Sequence, residues 1–434
     1  MSIDRRQFLA GSVALLATPA FATDRAELCR GALIDWHRLV LELVRHTATY
    51  SPPVASRAFA YVGIIAHECH VGLVPGPVTL AGQVHGLTPL PAPAPGLDPA
   101  AVLDAALGKA MIDFFGNTGP SGQGAMQAMA RQLAGKIDRD LAPEVAAASR
   151  AHGLAIADHV WAWSQSDGGA KVENLGFPYD YTFGEDPSDW VPTSLIQLQQ
   201  APLLPNWGTN RTFAMPEAAA CTVPAHPAFS TEPGTAFYEA AREVYDVSKS
   251  LTDEQKIIAR FWSDDPMLSP TPPGHWVSIV LQIAERDRLP AERTAAALAV
   301  NGIAVADAFI ACWREKYIFN LIRPVTYIKR NIDPKWETLL ITPPFPEYPS
   351  GHSVQSGAAE VALTAIFGEN FAFEDATHAD DGLPVRSFAS FREAAEEAAI
   401  SRLYGGIHYR FACAEGLTQG RCIGAYAAGL RTFA

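Results

Sequence analysis

The sequence predicts an all-α protein. Apolar residues recur at helical spacing in one segment after another, prolines and glycines crowd the gaps between those segments, and no run alternates as a strand would. At 434 residues, 48% hydrophobic and 18% charged, the chain is an ordinary globular one with enough length for a large core or two domains. The formal charge of −13 argues against nucleic acid or an anionic membrane as a partner.

The elements follow in order. Asp4-Arg5-Arg6-Gln7-Phe8-Leu9, the apolar run Leu9 to Leu16 and the small-x-small pattern Ala20-Phe21-Ala22 read as a twin-arginine export signal over 1–22. The mature chain is then expected to start at Thr23, in the periplasm, with no stable membrane anchor, since the apolar run is too short to span a bilayer. No other segment reads as membrane-spanning. Leu28, Ala32, Leu33, Trp36, Leu39, Val40 and Leu43 share a face and predict a first helix over 28–44. Ser51-Pro52-Pro53 opens a second, reaching about Val71, because proline suits a first helical turn. Residues 75–96 read as loop, 99–115, 122–137 and 142–164 as helices, and 168–233 as a long ordered connection forming one wall of a cleft. Helical patterns return over 235–249, 252–262, 274–285 and 291–319, the last ended by Arg323-Pro324. Further helices are expected over 351–367, 388–404 and 407–431, with an acidic loop over 370–385. The implied division is a signal (1–22), an N-terminal helical half (23–232) and a C-terminal half (233–434) that carries the chemistry.

That chemistry lies in three motifs: Lys316-Tyr-Ile-Phe-Asn-Leu-Ile-Arg323-Pro324, then Pro349-Ser350-Gly351-His352-Ser353, then Ser401-Arg402-Leu-Tyr-Gly-Gly-Ile-His408. Lysine and arginine are rarely buried without negative charge, so cations gathered round one pocket need an oxyanion there. Arginine offers a planar fork to tetrahedral oxygens, lysine a mobile charge, and a Ser-Gly pair a hydroxyl and a backbone N–H. One histidine can attack or coordinate the anion while the other moves protons.

In order and internal spacing these motifs resemble the vanadium-dependent haloperoxidase and type 2 phosphatidic acid phosphatase superfamily. The resemblance implies a fold of two four-helix-bundle-like halves, with vanadate as cofactor at a site that phosphate can also occupy. It implies that Lys316, Arg323, Arg402, Ser350 and Gly351 hold the oxyanion. His352 becomes the acid–base residue and His408 the axial vanadium ligand or, in a phosphatase, the nucleophile. Trp313 and Phe345 sit where chloroperoxidase-like members carry aromatics, and Phe261-Trp262-Ser263-Asp264 resembles the segment whose aspartate pairs with the third-motif arginine, which casts Asp264 as the partner of Arg402. One departure stands out: the family's usual aspartate four residues after the last histidine is Ala412 here, which leaves that histidine without its orienting carboxylate.

Other motifs read as structural. His67-Glu68-Cys69-His70 lacks a third ligand, His275 in Pro272-Pro273-Gly274-His275-Trp276 reads as packing or capping, and six scattered cysteines show no zinc spacing. An internal echo aligns Ala58-Phe-Ala60-Tyr-Val-Gly63-Ile64 with Ala297-Leu-Ala299-Val-Asn-Gly302-Ile303, each followed by an acid, Glu68 and Asp307. It agrees with a duplicated bundle. Three functions remain in play. A vanadium haloperoxidase would take halide, hydrogen peroxide and an organic acceptor, with Lys316 polarising the peroxide. A soluble phosphatase would work through a phosphohistidine, and an oxyanion binder would turn nothing over.

Overall fold

The computed structural model describes residues 14–178, 180–193 and 200–434, with side chains from Arg25 onward. The twin-arginine motif lies outside the described residues, as do the side chains of Ala20-Phe21-Ala22 and the whole of Tyr179. The helices are α1 Ala14–Arg45, α2 Pro52–Glu68, α3 Pro99–Phe115, α4 Pro120–Ile137, α5 Pro143–Ser164, α6 Gly169–Val172, α7 Ala236–Lys249, α8 Asp253–Phe261, α9 Thr271–Arg286, α10 Ala291–Phe319, α11 Pro324–Asn331, α12 Gly351–Phe367, α13 Phe391–Tyr404 and α14 Arg410–Ala428. Six of them, α2, α3, α4, α5, α9 and α11, carry proline in the first turn, where its missing N–H costs nothing. The long connection before α7 stays largely irregular and is tied to α14 by the disulfide Cys221–Cys422, while Cys29, Cys69, Cys312 and Cys413 are free and buried.

Helices α2 and α10 cross at the centre, and one apolar core runs from α1 through α2 and α10 to α12 and α13. The echo between them is a real contact. A Cβ on Gly63 would lie 2.9 Å from the Leu298 carbonyl oxygen, and one on Gly302 would lie 2.9 Å from the Ala60 Cα. Each glycine thus meets the partner of the other in the aligned segments, and the backbones touch because neither has a side chain. The two echoed acids also do equivalent work: Glu68 accepts from Leu80 N–H at 2.7 Å, and Asp307 accepts from the N–H groups of Phe213, Ala214 and Met215 at 2.6–2.9 Å. Each pins a loop to its own helix. By length and apolarity α10 could cross a membrane, but its apolar stretch is wholly buried in this core.

Several boundaries differ from expectation. Helix α10 stops at Phe319, with Asn320 in the left-handed region (φ 45°), so Pro324 does not end it but opens α11, with Arg323 at the N-cap. Helix α14 begins at Arg410, which leaves His408 in a loop. The expected loop over 370–385 leads into a small antiparallel hairpin, β1 Phe373–Asp375 with β2 Arg386–Phe388, too short for alternation to show in sequence.

The α2–α10 contact makes a paired prediction. Gly63→Val should destabilise the protein by about 1–3 kcal/mol through overpacking. Gly31→Ala, in α1 with nothing within 4 Å of the added methyl, should be neutral or slightly stabilising. Urea unfolding midpoints compare the two, and equal midpoints would contradict the close crossing.

Candidate active site

The end of α10, the loop before α12 and the α13–α14 loop converge. Trp313 and Lys316, three residues apart on α10, face one way. Trp313 Nε1 donates to the Leu203 carbonyl (3.1 Å) and its ring meets Phe345 at 4.9 Å. Lys316 is fully buried, its Nζ donating to the carbonyls of Pro346 (2.8 Å) and Glu347 (2.9 Å). Arg323, also fully buried, donates from Nε to the Phe345 carbonyl (2.9 Å) and from Nη1 to the Ile407 carbonyl (2.9 Å). Ser350 caps α12: its Oγ accepts from the N–H and hydroxyl of Ser353, which leaves its own proton free to donate. Gly351 opens that helix, where backbone N–H groups lack intrahelical partners and favour an anion. Gly351, His352, Arg402, His408, Trp313 and Phe345 all border one cleft of about 1110 Å³.

The electrostatics follow from burial. Loss of water pulls Lys316 down to about 7, and Arg323 and Arg402 down to about 10. His352 and His408 are held well below the usual histidine range, first by burial and then by the neighbouring arginines. Both imidazoles are neutral in a strongly cationic setting. Arg323 Nη2, Arg402 Nε and His352 Nε2 are buried with no hydrogen-bond partner. Trp190 Nε1, Trp207 Nε1 and Asn301 Nδ2 are unpartnered too, but the two guanidinium atoms are the ones that carry positive charge. The set of three cations, a serine hydroxyl and a helix N-terminus fits a tetrahedral oxyanion, vanadate or phosphate, and fits a bare metal cation poorly.

The tautomer of His408 can be read from its partners. Arg323 Nη1 lies 3.1 Å from His408 Nε2, and a guanidinium can only donate, so Nε2 carries the lone pair. The proton is therefore on Nδ1, which donates to Glu347 Oε1 at 2.8 Å. This corrects the expectation raised by Ala412. The orienting carboxylate is present, but it comes from the loop before α12 rather than from α14. Ala412 contributes only its carbonyl, which accepts from Ser350 N–H at 3.1 Å. Glu347 is fully buried, also accepts from Tyr409 N–H (3.0 Å), and is raised by burial to about 7 against the pull of Arg323 and Lys316. Sequence reasoning missed it. The one available signal was an acid set between two prolines directly before the second motif, Pro346-Glu347-Tyr348-Pro349.

Asp264 also differs from expectation. Its carboxylate is taken by His275 Nδ1 (2.9 Å) and His378 Nε2 (3.0 Å), while Arg402 Nη1 donates to the Trp262 carbonyl (2.6 Å). Arg402 feels the charges of Asp265 and Asp264 only through space. His275 is thus a charged partner rather than a packing residue. The His67–His70 segment is structural as expected, with His67 and His70 bonded to the carbonyls of Val78 and Ala66.

Two predictions follow. Glu347→Gln replaces the charged acceptor that holds the proton on His408 Nδ1 with a neutral amide, so vanadate affinity should fall about 10–100-fold while phosphate affinity does not fall; titration calorimetry with both anions checks this, and equal loss of both would contradict it. Lys316 has its pKa depressed from 10.5 to about 7, so the fold without an oxyanion should lose stability as pH drops from 10.5 toward 7. Lys316→Met should flatten that part of the stability profile relative to the native protein, as read by thermal unfolding across the range, and an unchanged slope would contradict the assignment.

Comparison with known proteins agrees with this geometry. The family model described as VCPO second helical-bundle domain matches residues 296–432. A crystal structure described as the first bacterial vanadium-dependent iodoperoxidase aligns with TM-score 0.85 and 38% identity, over 92% of this chain and 95% of that one. A holo bacterial vanadium-dependent chloroperoxidase shares the fold with TM-score 0.68 at 16% identity, over 89% of this chain and 94% of that one. The vanadium chloroperoxidase of Curvularia inaequalis is 28% identical over 212 residues, a match that spans 35% of each chain. With the fold matched nearly end to end at 38% identity, the chain belongs to the vanadium-dependent haloperoxidase family.

Proposed function

We propose that this protein is a vanadate-dependent haloperoxidase that oxidises halide with hydrogen peroxide to hypohalous acid. The observation that carries the reading is the pair of buried guanidinium donors without acceptors among the described residues, Arg323 Nη2 and Arg402 Nε, with the unpartnered His352 Nε2, beside a neutral His408 whose Nε2 bears a lone pair. When bound, vanadate supplies a Lewis-acid centre that activates peroxide toward halide without changing oxidation state. Lys316, Arg323, Arg402, the Ser350 hydroxyl and the Gly351 N–H would hold its oxygens, and His408 Nε2 would be the protein ligand to vanadium. Glu347 keeps the His408 proton on Nδ1 and so keeps Nε2 basic.

His352 moves the proton. Its Nε2 is buried without a partner and so is left free to accept. Burial and the Arg402 charge keep the ring neutral, which is the form a general base needs. Lys316, pulled to about 7, is a ready donor to a bound oxygen near neutral pH. Trp313 and Phe345 wall the pocket and hold water away from these groups. Iodide is the first halide to try, because the relative at 38% identity is described as an iodoperoxidase. Exposed apolar residues at the cleft mouth, Leu175, Phe183, Met267, Leu268 and Ile341, support an apolar organic acceptor for the oxidised halogen. Periplasmic export is supported by the Arg5-Arg6 motif and by the Cys221–Cys422 disulfide, which suits an oxidising compartment.

The test is iodide and bromide oxidation by purified protein with peroxide, with and without vanadate. Vanadate-dependent oxidation suppressed by phosphate is expected. His352→Ala should lower the rate about 10²–10⁴-fold while vanadate still binds. Hydrolysis of p-nitrophenyl phosphate without halide oxidation would make the protein a phosphatase instead, and anion binding without either turnover would make it a binder.

A further inference from the structure

Beside the site lies a buried cluster that the proposed chemistry does not touch. Asp264 sits between α8 and α9 in the left-handed region (φ 49°), an unusual place for a residue with a side chain. Met267 (φ 70°) and Thr271 (φ 66°) share that strained stretch, so something must hold it. The two Asp264 oxygens are taken by different imidazoles, Oδ2 by His275 Nδ1 at 2.9 Å and Oδ1 by His378 Nε2 at 3.0 Å. The far nitrogen of each ring meets another carboxylate: His275 Nε2 reaches Asp375 Oδ2 at 2.7 Å, and His378 Nδ1 reaches Asp381 Oδ2 at 3.0 Å. Carboxylates accept, so all four ring nitrogens donate, and a histidine that donates from both nitrogens is an imidazolium. Charges then balance without a metal ion. Asp264, Asp375 and Asp381 face His275, His378 and Arg45, which pairs with Asp381.

The surroundings suit that charge state. The Trp262 ring stacks on His275 at 4.4 Å and 16°, so an aromatic face covers that cation, and Phe261 meets the His378 ring at 5.5 Å and 77°. The two rings lie 5.2 Å apart, and the shared Asp264 carboxylate between them offsets their repulsion. Burial opposes charge on His275, but Asp264 and Asp375 outweigh it and lift the ring to about 10. For Asp264 burial is likewise outweighed, by His275 and His378, and its carboxyl stays well below the usual range.

The cluster grips one short segment, and that segment touches the active site twice. The Trp262 carbonyl accepts from Arg402 Nη1 at 2.6 Å, and Ser263 lines the same cleft as His352, its backbone favouring charge on that ring. Resting on the roles given above to His352 and Arg402, we propose that His275 and His378 are positioning residues. Both held as imidazolium, they lock Asp264 so that the Trp262 carbonyl aims Arg402 at the oxyanion and Ser263 stays set beside His352. The hairpin contributes Asp375 and the turn after β1 contributes His378, which gives this small sheet a purpose in a helical protein.

Three readouts on the full-length protein test this. In ¹⁵N-histidine NMR at about pH 8, where a free histidine is neutral, two imidazoles should stay protonated on both nitrogens, and each signal should vanish in turn in His275→Gln and His378→Gln. Both variants should unfold cooperatively yet bind inorganic phosphate more weakly and lose kcat for halide oxidation by about 10–100-fold. Their KM for halide should stay within about twofold, with a shifted pH–rate profile. Neutral rings, or a stoichiometric divalent cation in the purified protein, would overturn the imidazolium pair. Folded variants with a lower melting temperature but native kcat, phosphate affinity and pH profile would reduce the cluster to a stabiliser and overturn the positioning role. Should the native protein oxidise no halide, the proposed function fails, while NMR and phosphate affinity still decide the clamp.

Discussion

Three buried cations with too little negative charge beside them set the terms for the rest of this structure. Lys316 and Arg323 are wholly buried and Arg402 nearly so, yet none of the three forms an ion pair among the described residues, and the nearby Glu347 carboxylate acts on Lys316 and Arg323 only through space, its bonds going to His408 and Tyr409 N–H. Taking charges out of water costs several kcal/mol per ion unless partners restore the interaction. Here backbone carbonyls take part of that role: Pro346 and Glu347 for Lys316, Phe345 and Ile407 for Arg323, Trp262 for Arg402. Carbonyl dipoles hold the cations in place without neutralising them. The positive field is left for an anion, and the same field keeps both histidines uncharged.

Such a site needs a scaffold that does not yield. The cations come from α10, the N-cap of α11 and the end of α13, and their carbonyl partners from three loops. Helix α10 is held against α2 by the Gly63–Gly302 crossing, and Asp307 ties the 213–215 segment to it with three backbone bonds. Asp307 itself is raised to about 6 by burial, against the pull of those N–H groups, a sign of how dry this interior is. A close-packed interior transmits strain rather than absorbing it, so a carbonyl aimed from a pinned loop stays aimed.

Much of this was legible in the sequence because local rules acted alone. Helices over 99–115, 291–319 and 351–367 match α3, α10 and α12, where proline, cap and periodicity agreed. The motif residues were legible because their types and spacing are tied to one chemistry. What stayed hidden depended on contacts distant in sequence. Glu347 reaches His408 across 61 positions, and His275 reaches Asp375 across 100, so no window holds both partners. The missing aspartate at 412 illustrates the limit: the chain keeps the interaction and changes the address of the residue that makes it. The assignment of Asp264 to Arg402 failed for the same reason, since its true partners lie on α9 and in the turn after β1.

The central claim is that the buried donors exist to bind one tetrahedral oxyanion, with His408 Nε2 available to a vanadium centre. Calorimetric titration of vanadate into the purified chain, repeated in excess phosphate, tests it most directly. The account predicts one site per chain, competition by phosphate, and tighter binding of vanadate because only vanadium takes the His408 lone pair. No binding, or vanadate and phosphate bound equally well, would contradict it.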